Sequence, residues 1–259
     1  MGLPDLPASQ GPTSTSRDRL RAQLYQGYVS SGQAGEQASG GSSAAVRAPH
    51  LRALIRRHFP ADRMARVLDI GCGHGALLLV ARTEGYQRLA GIDASLEQVQ
   101  LANRLGLDCV KHGDLVSELR AQPAESCEVI VAFDVLEHLE PGEAMSCLGE
   151  ARRILSPDGR IILHVPNGES PFVGAILYGD FTHERAFTRR SLTQLCRAIG
   201  FSRIECHEDQ PVVHGVISAS RWALWRMIRL LLRFITAVET GDAGRDAILT
   251  RNMTAILHR

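Results

Sequence analysis

Asp134, Glu137 and His138 fall within five residues in FDVLEHL, directly after the apolar run VIVAF. Asp180 and His183 stand further on, in YGDFTHERAFT. Carboxylates and imidazoles move protons near neutral pH and ligate divalent ions. If the chain turns helical after Phe133, positions i, i+3 and i+4 share a face and bring the first three together. Three readings follow: a metal site, a metal-free general base, or a solvated turn whose Glu-His pair only orders the next helix. A third group is the loop Asp69-Ile-Gly71-Cys72-Gly73-His-Gly75, where glycines allow tight turning and close approach to a ligand. Gly71-x-Gly73-x-x-Ala76 also meets the dinucleotide fingerprint, with Asp93 placed to hold a ribose hydroxyl. His74 reads as a lining residue of this loop.

Such groups need a scaffold, and the pattern supplies one. AVRAPHLRALIRRHF reads as an amphipathic helix stopped by Pro60. RVLDIG, RLAGID, DCVKHGD, EVIVAF and RIILHVP read as strands. GALLLVARTEG, SLEQVQLANRLG (Ser95 as N-cap) and GEAMSCLGEARRIL read as helices between them, with PDG as a turn. Alternating strands and helices imply an α/β, doubly wound parallel sheet, which binds ligands outside the carboxyl ends of its strands. TRRSLTQLCRAIGF is a further helix, SRIECHED a strand and LTRNMTAILHR a closing strand. A helical insertion at about 218–247 separates the last two.

Hydrophobic content of 44% and charged content of 22% are those of a globular chain with a sizeable core. Basic and acidic side chains number 29 and 28, a balance that gives no broad footprint for nucleic acid. Six scattered cysteines without a C-x-x-C pair fit a reducing cytoplasm. No secretory leader and no membrane span is legible. Residues 1–45, rich in Ser, Gly and Pro, read as a disordered or lid-forming segment, and 46–259 as the folded domain.

As an ordered set, VLDIGCGHG, GID, GD at 113–114, FDVLEH and LSPDG resemble the class I S-adenosylmethionine-dependent methyltransferases. The resemblance implies a seven-stranded Rossmann-like sheet with an antiparallel last strand, and S-adenosylmethionine as cofactor. By position, Gly71, Cys72 and Gly73 would pass beneath its methionine part, with Asp69 supporting the loop or reaching the amino group. Asp93 would take the ribose hydroxyls, with Ala94 beside it. Asp114 would accept from the adenine amino group, Leu115 would lie against the ring, and Phe133 would supply a backbone contact near the sulfonium. An ordinary turn residue is the alternative for Asp114.

FDVLEHL and the later histidine also resemble quinone-biosynthesis O-methyltransferases and small-RNA 2′-O-methyltransferases. Those RNA enzymes hold a divalent metal here, which implies Asp134, Glu137, His138 and His183 as ligands of Mg²⁺ or Mn²⁺. The metal-free rival uses His183 or His138 as base, with Asp180 in the same loop. Two departures stand out: the first acid is Asp rather than Glu, and the spacing from His183 to Phe187 matches only approximately. Phe172, Tyr178, Phe181 and Phe187 are expected to anchor that loop.

LYQGYVSS, GDFTHERAFT and the insertion resemble methyltransferases of bacterial surface-polysaccharide clusters. This implies a saccharide hydroxyl as acceptor, with Tyr28 in a lid over the cofactor. A phenolic or quinone-precursor acceptor is the alternative, and a catalytically silent SAM-binding scaffold is the alternative of another class. In the insertion, Arg221, Arg226, Arg229 and Arg233 fall within an arc of about 140° at 100° per residue. Residues 220–235 thus read as a helix lying at the inner face of a membrane, or as one packed on the domain or across a homodimer.

Overall fold

The computed structural model describes residues 23–24, 42–242 and 247–259. The segment read as disordered or lid-forming, Tyr28 included, therefore lies outside the described residues except for 23–24 and 42–45.

Helix α1 (Ser42–His58) leads into β1 (Arg66–Ile70), α2 (Ala76–Thr83), β2 (Arg88–Asp93), α3 (Leu96–Arg104) and β3 (Val110–His112). Then come α4 (Leu115–Ala121), β4 (Cys127–Phe133), a 3₁₀ turn (Leu136–His138), α5 (Pro141–Ile154) and β5 (Leu155–Pro166). The chain closes with α6 (Gly174–Leu177), α7 (Arg189–Ile199), β6 (Arg203–Glu208), α8 (Val216–Thr240) and β7 (Asn252–His258). The seven strands form one sheet in the order β3-β2-β1-β4-β5-β7-β6. β1 to β5 pair in parallel, and β7 runs antiparallel to both β5 and β6.

Both faces of the sheet are covered, and β4 shows how. Val129 and Val131 point into a core built with Leu51, Ile55 and Leu77 of α1 and α2. Ile130 and Ala132, on the other face, join Leu148, Ile154 and Leu192 of α5 and α7. Alternation along the apolar run 129–132 of one strand thus serves two cores. Ser95 caps α3 through Gln98 N, as its sequence suggests. Helix α4 has no counterpart in the sequence reading: LVSELRA is short and mostly polar, with little helical periodicity to see. The PDG turn lies within β5, where pairing jumps from Cys127↔Leu155 to Val129↔Arg160 and leaves 156–159 outside the ladder. Strand order reverses on either side of β1, so β2 and β4 diverge there and open a crevice at their carboxyl ends.

Candidate active site

A cavity of about 1120 Å³ occupies that crevice. Its floor is the glycine loop. Gly71, Gly73 and Gly75 have φ of 67°, 55° and 82°, the left-handed region that side chains disfavour. A Cβ on Gly71 would also strike Val135, so the loop passes directly against the chain leaving β4. Asp93 ties the loop down: Oδ2 accepts from Gly73 N at 2.7 Å and Oδ1 from Ser95 N at 2.8 Å. Cys72 and Ala94 line the cavity beside it.

Asp69 is buried at the base, and burial first, then the nearby charge of Asp93, pushes its carboxyl well above the ordinary range; Arg47 opposes them. An acid in that condition favours a cationic ligand, whose charge would restore the carboxylate. Asp114 lines the wall and caps α4, accepting from Ser117 N at 2.9 Å through Oδ1. The turn-residue reading of Asp114 thus has a concrete form, a helix cap, which leaves Oδ2 of the same carboxylate outside that bond. Leu115 and Phe133 also face the cavity.

Across from the loop, the structure gathers Glu137, His138 and His183, with one donor atom of each within 4.8 Å of the others. The post-β4 turn meets the loop after β5 where Glu184 N bonds to Glu137 O at 2.7 Å, and Asn167 pairs with Phe187. His183 Nδ1 lies 3.0 Å from the Ile176 carbonyl oxygen, which only accepts, so Nδ1 is a donor and the neutral ring has its lone pair on Nε2. His138 Nδ1 lies 2.8 Å from Thr182 Oγ1, whose hydroxyl donates to Asp180 Oδ1 at 2.6 Å. That relay makes Thr182 the acceptor and fixes His138 in the same tautomer. Glu137 is buried, its Oε2 has no hydrogen-bond partner among the described residues, and burial, with Asp134's charge second, pushes its pKa well up.

Two sequence expectations change here. Asp134 does not join the cluster. It adopts φ 55°, and the helical turn begins only at Leu136, so the face shared by i, i+3 and i+4 never forms. Its Oδ1 instead meets His164 Nδ1 at 2.6 Å, and its Oδ2 lies 3.8 Å from Arg47. Asp180 meets Thr182 through both the backbone N–H and the hydroxyl, and so bears on His138 at one remove. Of the four loop aromatics, Phe187 alone is buried; Phe172, Tyr178 and Phe181 are exposed.

Sequence reasoning passed over His164 and its partners. Its other nitrogen lies 3.4 Å from Asp209 Oδ2, and Asp209 Oδ1 lies 3.3 Å from His50. Burial alone would lower the His164 pKa, but the charge and hydrogen bond of Asp134, then those of Asp209, carry it up to about 10. The result is a buried imidazolium between two carboxylates. A lone histidine in the apolar run IILHVP, at a strand's carboxyl end, was the available signal.

The profile of a family described as "Methyltransferase domain" matches residues 44–205, more than half of the 259. The chain is an S-adenosylmethionine-dependent methyltransferase. An uncharacterized 37.1 kDa protein in transposon TN4556 of Streptomyces fradiae is 32% identical over 135 residues, covering 50% of this chain and 37% of that protein. A ubiquinone biosynthesis O-methyltransferase of Xanthomonas oryzae pv. oryzae is 32% identical over 107 residues, covering 40% of this chain and 44% of that enzyme. The match thus spans less than half the length of these relatives. The crystal structure of a SAM-dependent methyltransferase from Archaeoglobus fulgidus superposes with a TM-score of 0.61 at 19% identity, covering 82% of this chain and 94% of that one. At that identity it speaks for the fold alone. The residues of this methyltransferase suit the cofactor on their own chemistry: a side-chain-free cradle at Gly71 and Gly73, and a buried acid at Asp69 whose charged form an ammonium would favour.

Proposed function

We propose that this methyltransferase modifies a hydroxyl oxygen, with Glu137, His138 and His183 holding a divalent ion of the Mg²⁺ or Mn²⁺ kind beside it. The observation that supports this reading is the paired tautomer: both imidazoles spend Nδ1 on a protein acceptor, next to a buried carboxylate oxygen with no hydrogen-bond partner among the described residues. Metal-ligating histidines are held this way. Bound in the cavity, S-adenosylmethionine supplies a methyl group on positively charged sulfur. A divalent ion at the three donors would supply a Lewis acid that lowers the pKa of an acceptor hydroxyl. The chain does the positioning. Asp93 and the glycine loop fix the cofactor side, while Thr182, Asp180 and the Ile176 carbonyl fix the rings. Should no ion bind, His183 Nε2 is in the right tautomer to take the hydroxyl proton itself.

For the acceptor we propose a saccharide hydroxyl, on the strength of the GDFTHERAFT loop and the insertion. A second reading, a phenolic quinone precursor, is favoured by the relatives named ubiquinone biosynthesis O-methyltransferase. Vicinal hydroxyls are common to both.

Calorimetry with Mn²⁺ on chelator-stripped protein, saturated with S-adenosylhomocysteine, tests the metal. Saturable binding in the wild type, lost in His183→Ala with S-adenosylhomocysteine affinity intact, is the expected result. Absence of heat in the wild type removes the metal and leaves the base. Transfer of labelled methyl to sugar diols against catechols then separates the acceptors.

A further inference from the structure

Helix α8 is built inside out. At 100° per residue, Leu224, Met227, Leu230, Leu231, Phe234 and Val238 share one side of the helix with Ile217, Ile228 and Ile235, over about 160°. All nine are exposed, Phe234 at 66% and Val238 at 71%. The side bearing the arginines faces the protein: Ser218 is buried, Trp222, Trp225 and Leu232 are half-buried, and Arg229 Nε donates to Glu208 Oε1 at 2.7 Å. A helix packed on its own domain has the opposite polarity, and an apolar stripe of this length marks an interaction surface.

Three observations say what covers it. First, charge: from Val216 to Val238 every ionisable residue is an arginine, and the first acid is Glu239. Arg221 and Arg226 are exposed at the two borders of the stripe. A two-fold contact between copies would set these cationic borders side by side with Glu239, in the last turn, as the one acid on each helix to answer them, whereas anionic lipid headgroups answer both borders. Second, placement: β6 runs in the direction of β5, since both oppose β7, so Glu208 ends it on the edge that carries the cavity. Arg229 pins the middle of α8 to that edge, and Asn252, first residue of β7, lines the cavity. Third, the loop that supplies His183 carries Tyr178 and Phe181, 85% and 76% exposed. Aromatic side chains of this kind sit at membrane interfaces. No helix among the described residues is long and apolar enough to cross a membrane, so any membrane contact through α8 would be at its surface.

We infer that α8 seats this enzyme on an anionic lipid surface, apolar face down, beside the cavity. A lipid-borne acceptor would then reach the site without leaving the surface. This holds whether or not a metal takes part and whichever hydroxyl is methylated.

The test is co-sedimentation of the full chain with vesicles of phosphatidylcholine alone and of phosphatidylcholine with phosphatidylglycerol. Mass measurement by light scattering accompanies it across a range of protein concentration. Binding at least tenfold tighter to the anionic vesicles is expected. Leu231→Glu with Phe234→Glu should weaken it at least tenfold while S-adenosylhomocysteine affinity stays unchanged, and R221Q with R226Q should remove the preference for phosphatidylglycerol. A concentration-dependent dimer, without vesicle binding and lost in the double glutamate variant, would overturn the inference in favour of a second copy. Vesicle binding that survives that variant, or none at all from a monomer, overturns it as well.

Discussion

Thr182→Val changes one atom of consequence. Valine keeps the branched shape but removes the hydroxyl that accepts from His138 Nδ1 at 2.8 Å and donates to Asp180 Oδ1 at 2.6 Å. His138 is buried, so water cannot readily replace the lost acceptor. A buried donor left unmade costs about 1–3 kcal/mol. Loss of an outer partner of a ligating histidine lowers metal affinity by about 10–100-fold, or about 1.4–2.7 kcal/mol. The first cost bears on stability and the second on binding, so the Mn²⁺ affinity of Thr182→Val, read by calorimetry in the presence of S-adenosylhomocysteine, should fall by about 10–100-fold. Thr182→Ser keeps the hydroxyl and should stay within about threefold of wild type, since only a methyl group is removed. S-adenosylhomocysteine affinity should be the same in all three proteins, which separates a ring-positioning role from general damage. The reasoning fails if Thr182→Val binds Mn²⁺ as wild type does, or if Thr182→Ser loses as much as valine.

Asp93→Asn leaves one side-chain oxygen where two now accept backbone N–H groups from Gly73 and Ser95. The loop loses a charged hydrogen bond of about 1.5–3 kcal/mol, and S-adenosylhomocysteine should bind at least about tenfold more weakly; unchanged affinity in a calorimeter would remove Asp93 from the cofactor site. His164 holds a proton up to about pH 10 in the fold, against about 6.5 when unfolded, so its contribution is complete below 6.5 and fades as pH rises toward 10. Urea midpoints taken between pH 7 and 10 should therefore decline for wild type, by up to about 1.4 kcal/mol of stability per pH unit, and run flatter for His164→Gln. Parallel curves would refute the buried imidazolium.

The sequence carries the glycine-loop side of the cavity almost entirely, because that side is made of neighbours. Asp69, Gly71, Cys72 and Gly73 are consecutive or nearly so, and Asp93 sits at the end of the adjoining strand. Their meeting needs only a strand, a turn and one parallel pairing. The opposite side, with Glu137, His138 and His183, joins residues that no local pattern links. His138 meets His183 because β5, running beside β4, delivers the following loop back over the 3₁₀ turn. Arg47, His50, His164 and Asp209 converge from a helix, a strand and a loop far apart in the chain. Helix α8 was legible as amphipathic, but not which side faces the protein: that depends on Glu208, which draws Arg229 inward.

FDVLEHL turns out to serve two structures, and its backbone explains the division. At φ 55° Asp134 sits where a residue other than glycine is uncommon, Asn and Asp being the frequent exceptions. Its carboxylate is held by His164 at 2.6 Å, and that bond over-determines the conformation. The kink delays the helical turn until Leu136, so Asp134 parts from Glu137 and His138. Asp134 braces β4 against β5 and lines the cavity, while the other two turn toward His183. An Asp at this position follows from that division, since a longer carboxylate gains little in the left-handed region and would have to fold back on His164. The departure from the acidic pattern of the metal-binding RNA enzymes is therefore consistent with a three-residue ligand set. If a divalent ion is held there, Glu137, His138 and His183 would supply three of its ligands, and oxygen donors from outside the chain, such as vicinal hydroxyls, would have to supply the others.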